Sequence, residues 1–396
     1  MQSKKLRQAV LPNIRQAAAD RRRYWAGEAE VNRYFFYNFI LVSFINLMLY
    51  VPHILMADRY RGAVQSLIIG AVIGTILLYL YTGALARYPG KGLPEILKMH
   101  LPKWISNSLI SFFTFMWLYA TSLAIIAFAI MINRFFNPDV HVSLILAMLV
   151  LACGYAATRS SLTVMFVIEI GLIVNAPIIL FVLFKAGSNP HLNWDAIRVI
   201  ANYVTKAPTL ASTAAASFIF TGYINMSLFN RLMPPNSRFR HRWIYPLMGF
   251  VILLITFFVP IGIHGTETVG NYIYIWSITA DSLLMQYGFI ERVLFLFLIV
   301  YLNLTLVFTM SGWHQAMEFV KSMISNHKPE IDSEKTPLSN YVIVGVFIAL
   351  TFVYLLLTNE KLNMLISTYW LIFRMFVEIL LVIGIFILSR RRPRSA

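Results

Sequence analysis

Long apolar runs, separated by short polar segments, dominate the chain. Each run is about 20 residues long, which is the length of α-helix that crosses the hydrocarbon core of a bilayer. No stretch alternates apolar and polar residues over about ten positions, as the strands of a membrane β-barrel do. The pattern therefore predicts an all-α, polytopic membrane protein.

Ten transmembrane helices are predicted from these runs, with both chain ends on the cytoplasmic side. The predicted spans are 34–57, 63–85, 105–132, 141–157, 161–184, 209–232, 244–263, 290–317, 340–358 and 363–388. We interpret the aromatic segment 264–289 as an external interfacial helix rather than an eleventh span. This topology places most of the 33 Lys and Arg residues on the inner side, in agreement with the positive-inside rule.

Two halves of five spans each follow from this count, at 34–184 and 209–388. Because each half has an odd number of spans, the second half enters the membrane from the opposite side, as an inverted repeat requires. Transporters built on this 5+5 inverted repeat break the first helix of each half near the middle of the membrane, where ligands and ions bind. The chain is therefore expected to have broken helices 1 and 6.

Spans one and six contain related stretches in their middle parts. Span one reads "SFINLMLY" from Ser43, and span six reads "GYINM" from Gly222. Thr221 and Gly222 form the expected break signal in span six, whereas the middle of span one has no glycine. The repeated Ile-Asn pair predicts that Asn46 and Asn225 mark the two breaks.

Composition supports a membrane location and indicates the partners. The 396 residues are 59% hydrophobic and 13% charged, whereas about a quarter of the residues in a soluble domain are charged. The net charge of +16 indicates contact with anionic lipids rather than nucleic acid, because no nucleic-acid-reading motif accompanies it. A basic cytoplasmic arm (1–33) and a basic cytoplasmic tail (389–396) are expected on either side of the transmembrane domain (34–388).

Enzymatic chemistry has no support in the sequence. Cys153 is the single cysteine, so the chain can form no internal disulfide and no cysteine-based metal cluster. No histidine pair has the spacing of metal ligands, and "YPGKG" lacks the spacing and the Ser or Thr of a phosphate-binding loop. We expect no catalytic residue, metal or cofactor.

Charged residues inside a bilayer are costly and invite a functional interpretation. Glu169 in span five is a candidate for coupling to protons or cations, and a structural hydrogen bond to another helix is the alternative. Arg374 and Glu378 are four residues apart in span ten. This spacing places them on one helix face, and we interpret them as an intrahelical pair that neutralises itself.

The candidate ligand site lies near the membrane midplane, between the two expected breaks, with spans three and eight as its walls. Its predicted residues are Asn46, Leu47, Tyr119, Thr221, Gly222, Tyr223 and Asn225.

Four stretches carry a resemblance to a known family. They are "ARYPGKGLPEILKMHLPKW" (86–104), "NPHLNWDAIRVIANYVTKAP" (189–208), "FIFTGYINM" (218–226) and "GFIERVLFLFLIV" (288–300). In sequence and order they resemble the spore germination B-subunit family, the membrane component of nutrient germinant receptors. That family is similar to a branch of the amino acid–polyamine–organocation transporter superfamily, and the resemblance implies a LeuT-like fold over residues 34–388.

The resemblance also implies a function. It predicts a receptor subunit in the spore inner membrane or the cell membrane, which binds a small nutrient such as an amino acid from outside. Its partners would be the other germinant-receptor subunits. The sequence leaves two alternatives open: an amino-acid or amine permease coupled to H⁺ or Na⁺, and a membrane scaffold that binds no ligand.

Overall fold

The computed structural model describes residues 32–234, 239–283, 292–324, 327, 329–333 and 335–391. Most of the predicted arm (1–33) and tail (389–396) therefore lies outside the described residues, as does Glu291 at the start of predicted span eight. The described residues form helices joined by turns and loops, which confirms the all-helical prediction.

The helices follow one another in chain order. They are α1 (Asn32–Met48), α2 (Tyr50–Ala57), α3 (Ala63–Leu85), α4 (Leu93–His100), α5 (Lys103–Phe135), α6 (Val142–Ala157), α7 (Ser161–Gly187), α8 (Trp194–Ala201), α9 (Leu210–Phe218), α10 (Met226–Phe229), α11 (Ile244–His264), α12 (Ile275–Asp281), α13 (Val293–Ser322), α14 (Leu338–Leu357) and α15 (Glu360–Arg390).

Seven of these helices are long and apolar enough to cross a membrane: α3, α5, α7, α11, α13, α14 and α15. The bent pair α1–α2 gives an eighth candidate span. The apolar helix α6 has 16 residues, and the segment 209–232 is divided into short helices. The total of ten spans and the 5+5 repeat therefore stay predictions.

Span one is broken, as expected, and the break is at Leu49. α1 and α2 meet there at an angle of 50°, and Leu49 has the non-helical dihedrals φ −101° and ψ −100°. The carbonyl of Ile45 is one of the last four of α1, which have no intrahelical donor. The hydroxyl of Tyr301 in α13 donates to it at 2.9 Å, so a neighbouring helix stabilises the break.

Span six breaks at its predicted position. α9 ends at Phe218, and a 3₁₀ helix occupies Thr221–Asn225. The Ile219 carbonyl at this break accepts a hydrogen bond from the hydroxyl of Ser43 in α1 at 2.8 Å. Each break is therefore held by a side chain from another span.

Close backbone contact joins the two broken spans. A Cβ atom at Gly222 would lie 2.6 Å from the carbonyl oxygen of Asn38 and would also collide with the Cα atom of Phe39. Only glycine permits this approach of two backbones. Span six thus packs directly on the main chain of α1.

The segment 264–289 contains the short helix α12 in the part that the structure describes. α12 is buried, with Ile275, Trp276 and Ala280 almost inaccessible. It packs on α2, α7, α11 and α13. At seven residues α12 is too short to cross a membrane, and its position at an external interface stays a prediction.

Candidate functional site

A cavity of about 90 Å³ lies beside the break of span six. Helices α1, α5, α13 and α15 enclose it, together with the end of α9 and the 3₁₀ helix that follows. Its lining residues are Val42, Phe113, Met116, Trp117, Ala120, Thr121, Phe218, Thr221, Ile224, Asn225, Phe308, Ser311, Gly312, Trp370, Arg374, Val377, Glu378 and Leu381. A space of this size accepts several waters or one small organic molecule.

The wall of the cavity is mainly apolar and aromatic, and six residues bring hydroxyl, amide or charged groups to it. These residues are Thr121, Thr221, Asn225, Ser311, Arg374 and Glu378. An apolar pocket with a few convergent polar groups is the usual form of a small-molecule site, since the polar groups orient the ligand.

Arg374 and Glu378 are the charged residues of this wall, and both are buried. Nη1 of Arg374 donates to Oε2 of Glu378, as the sequence interpretation predicts. Nη2 of Arg374 also donates to the Ala214 carbonyl and the Ser217 hydroxyl of α9, each at 3.0 Å. The pair is therefore not a self-contained intrahelical one, because it binds α15 to the first part of span six.

Glu378 extends this connection past the break. Its Oε1 accepts a hydrogen bond from the hydroxyl of Tyr223, which is fully buried in the 3₁₀ helix. The guanidinium of Arg374 lies 4.5 Å above the ring of Phe218, the last residue of α9. The ion pair consequently touches span six on both sides of its break.

Asn225 connects the cavity to α13. Nε2 of Gln315 donates to Oδ1 of Asn225 at 3.1 Å, and Nε2 also lies 3.4 Å from the Ser311 hydroxyl. Sequence reasoning missed Gln315 and Ser311, although their spacing of four residues on a long apolar helix was a signal of a shared polar face.

Of the seven predicted ligand residues, Thr221 and Asn225 line the cavity. Tyr223 lies behind its wall and holds Glu378, and Gly222 faces α1. These four residues are thus close together, and two of them are placed to contact a ligand.

Asn46, Leu47 and Tyr119 do not line the cavity. Nδ2 of Asn46 donates to the Val42 carbonyl of its own helix at 2.8 Å, and Leu47 is fully buried. Tyr119 stacks on Phe115, with ring centroids 5.4 Å apart, and contacts α14. Their assignment to a ligand site stays a prediction that this cavity does not support.

Glu169 also lies outside the cavity wall. It is on the first half of α7, and its Oε2 lies 3.6 Å from Nε of Arg33 at the start of α1. Its role in ion coupling stays a prediction.

A second polar region lies at the end of span six that is remote from α9. Arg231 is buried there, and its guanidinium donates to Oε1 of Glu95 at 2.7 Å, Oε2 of Glu318 at 2.8 Å and the Ser322 hydroxyl at 2.8 Å. This arrangement joins α4, span six and α13. We call it the Arg231 network.

The "YPGKG" loop is anchored to the same region. Nδ2 of Asn230 donates to the carbonyls of Tyr88 and Lys91, both at 2.7 Å, which fixes the turn of the loop against span six. In α4, burial lowers the pKa of Lys98, while the carboxylate of Glu95 acts in the opposite direction. The YPGKG loop therefore packs on the end of span six that is remote from α9.

In the described parts of the chain, no three His, Cys, Asp or Glu side chains are grouped so that they could hold a metal ion. The polar groups of the cavity offer hydrogen bonds and one ion pair. Their chemistry suits recognition of a small polar molecule.

Comparison with solved structures supports the fold. Two mutant forms of the manganese transporter of Eremococcus coleocola superpose on the chain with TM-scores of 0.56 and 0.55. Each is 14% identical in sequence, and each match covers 92% of this chain and 79% of the transporter. At this identity the likeness shows a shared fold and no more. No curated protein sequence matches the chain.

Comparison with protein families gives a match over most of the chain. The model of the spore germination protein family fits residues 37–361. This range includes the YPGKG loop, the breaks of both spans and every lining residue of the cavity up to Gly312. With its many apolar helices, the chain is an integral membrane protein that belongs to the spore germination protein family.

Proposed function

We propose that the chain is the membrane subunit of a spore germinant receptor, which binds a small nutrient such as an amino acid near the membrane midplane and signals germination. The observation that carries this proposal is the cavity at the break of span six, where Thr221, Asn225 and a buried ion pair converge. Family membership supports the link to germination.

The proposal includes the architecture expected from the sequence. Ten spans would form a 5+5 inverted repeat, with both termini cytoplasmic, in the spore inner membrane or the cell membrane. Support comes from the paired breaks at Leu49 and after Phe218, and from the transporter fold of the structural relatives. The other germinant-receptor subunits and anionic lipids would be its partners.

Signalling requires that the ligand bind one packing of the helices more tightly than another, since equal affinity for both would leave their populations unchanged. A ligand in the cavity contacts span six directly. The inner end of the same span carries Arg231, which binds Glu95 of α4 and Glu318 of α13. A change of span six at the cavity would therefore be passed on to α4 and α13.

A permease coupled to H⁺ or Na⁺ is the second candidate, and the fold shared with a transporter favours it. Concentrative uptake of an amino acid into vesicles containing this chain alone, abolished by an ionophore, would support the permease. Binding without uptake would support the receptor.

The first test is ligand binding to the purified chain in lipid nanodiscs, followed by thermal shift with a panel of standard L-amino acids. We expect at least one of them to raise the melting temperature. Ala120→Leu should abolish the shift, because Ala120 lines the cavity and a longer side chain fills it.

Ala152→Leu is the matched control, since Ala152 is exposed on the outer face of α6 and the same enlargement there leaves the cavity open. No shift with any amino acid, or an equal shift in the Ala120→Leu variant, would overturn the proposal.

A further inference from the structure

Two N–H groups of the cavity wall have no hydrogen-bond acceptor among the described residues: Nε1 of Trp370 and Nε of Arg374. Both side chains line the cavity, and both residues are more than nine-tenths buried, with exposures of 9% and 6%. A buried donor without an acceptor is destabilising and rare in folded proteins. These two N–H groups therefore mark a place where a hydrogen-bond acceptor is missing.

The two donors belong to one local arrangement. Trp370 and Arg374 are four residues apart on α15 and so lie on one face of the helix. Both contact Phe218, at 5.8 Å between the centroids of the Trp370 and Phe218 rings and 4.5 Å from the guanidinium of Arg374 to the ring of Phe218. An acceptor with two oxygens can satisfy neighbouring N–H groups at once, and a carboxylate has this form.

The main chain at the break of span six offers less room for a carboxylate. Gly222 is the residue through which a ligand could approach that backbone most closely, but α1 covers it, with the Asn38 carbonyl 2.6 Å from the position of a Cβ atom. The amide of Phe220 is already bonded to the Ser217 carbonyl at 3.1 Å. Trp370 and Arg374 of α15, in contrast, each bring to the wall a buried N–H group that no described residue accepts from.

We propose that the carboxylate of the ligand binds Nε of Arg374 and Nε1 of Trp370, so that α15 recognises the charged end of a small neutral amino acid. This inference rests on the proposed function and names its ligand class and specificity residues.

The charges of the site select the overall charge of the ligand. Arg374 and Glu378 neutralise each other, so a ligand with a net charge would bring an uncompensated charge into an apolar cavity, at a high cost. A zwitterion avoids this cost, and oxygens of Glu378, Asn225 and Thr221 are nearby acceptors for its ammonium group. The aromatic remainder of the wall suits a short apolar side chain.

The test compares ligands and variants in the same nanodisc binding assay. The probes are L-alanine and L-valine, each with its carboxamide, in which an uncharged amide replaces the carboxylate. We expect the carboxamides to bind the unmodified chain at least about tenfold more weakly than the acids. Trp370→Phe keeps most of the ring and removes the N–H group, and it should raise the Kd of the acids about tenfold.

Trp313→Phe is the matched control. Trp313 is fully buried in α13 and its Nε1 also has no acceptor among the described residues, but it contacts Phe347 and lies outside the cavity wall. Its substitution should leave the Kd of the acids unchanged. Arg374→Lys provides a second variant, which keeps the charge opposite Glu378 and lacks the Nε donor.

Three results would overturn the inference while the proposed function stands: equal binding of acids and carboxamides, equal Kd values for Trp370→Phe and Trp313→Phe, or tighter binding of a cationic amino acid such as L-lysine. Absence of binding by every amino acid would reject the proposed function and the inference together.

Discussion

Arg231 is a charged side chain that the fold buries almost completely, with 1% of the side chain exposed. Its guanidinium donates four hydrogen bonds, to the carboxylates of Glu95 and Glu318 and the hydroxyl of Ser322. A buried ion pair adds little net stability compared with apolar residues of the same volume. Removal of one partner, however, leaves the other as an uncompensated charge that is buried away from water. Arg231 is therefore a residue whose loss should be costly.

Arg231→Ala should lower the free energy of unfolding by about 3–5 kcal/mol, because Glu318 would stay buried without its main partner. The measurement is unfolding of the purified chain in mixed micelles. Arg198→Ala is the control: the Arg198–Asp195 pair is exposed, at 78% and 86%, and exposed pairs contribute about 1 kcal/mol or less. Equal losses in the two variants would contradict the importance of the Arg231 network.

Individual site residues could be predicted from the sequence only in part. Thr221 and Asn225 were found because they adjoin a break signal. Tyr119 does not line the cavity because the neighbours that do, among them Trp117 and Ala120, occupy a different face of α5, and successive residues of a helix are about 100° apart around its axis. Without knowledge of the face that lines the cavity, an aromatic residue in span three does not indicate which residues of that span belong to the site.

At the scale of elements, the two breaks were predictable and the details of the first were not. Thr221 and Gly222 signal the break of span six, and the structure has it there. Span one breaks at Leu49, three residues beyond Asn46, with no glycine at the break. Contacts from other helices, such as the bond from Tyr301 to the Ile45 carbonyl, help to hold that geometry, and a single span does not reveal such contacts.

Gly222→Ala should be strongly destabilising, since the added methyl group meets the backbone of α1 and neither main chain can yield cheaply. We expect a loss of about 3 kcal/mol, at the upper end of the usual cost of overpacking, measured as the free energy of unfolding in mixed micelles. Gly345→Ala in α14 is the control. No heavy atom lies within 4 Å of its Cβ position, so alanine there should be neutral or stabilising by about 0.5–1 kcal/mol. Similar results for both glycines would argue against the close packing of α1 on span six.

At the scale of the whole molecule, hydropathy and the positions of basic residues predicted an all-helical membrane protein, and the family match agrees with the recognised motifs. The position of the segment 264–289 could not be predicted in this way. Its aromatic residues are equally compatible with a membrane interface and with a helix buried in the bundle, and only the structure shows the packing of α12 on α11 and α13.

The proposed topology predicts that the two ends of α7 lie on opposite sides of the membrane. The start of α7 is bonded to the loop after α13, through the amide of Ser161 and the Glu330 carbonyl at 3.2 Å. In a Cys153→Ala background, His191→Cys, after the other end of α7, should react with an impermeant maleimide in intact cells. Ser333→Cys, in the loop after α13, should react only after permeabilisation. The reverse pattern would invert the topology, and labelling of both in intact cells would refute the span count.

The backbone contact at Gly222 has a consequence for cooperativity. Because no side chain separates the main chains of α1 and span six at this point, the two segments cannot slide past each other by small rotamer changes. They must shift together or part completely, and packed interfaces of this kind have discrete alternatives rather than a continuum of positions. Under the proposed function, a bound ligand would therefore change how many molecules occupy each state, and a half-saturated population would contain two sharply different forms of the protein rather than one intermediate form.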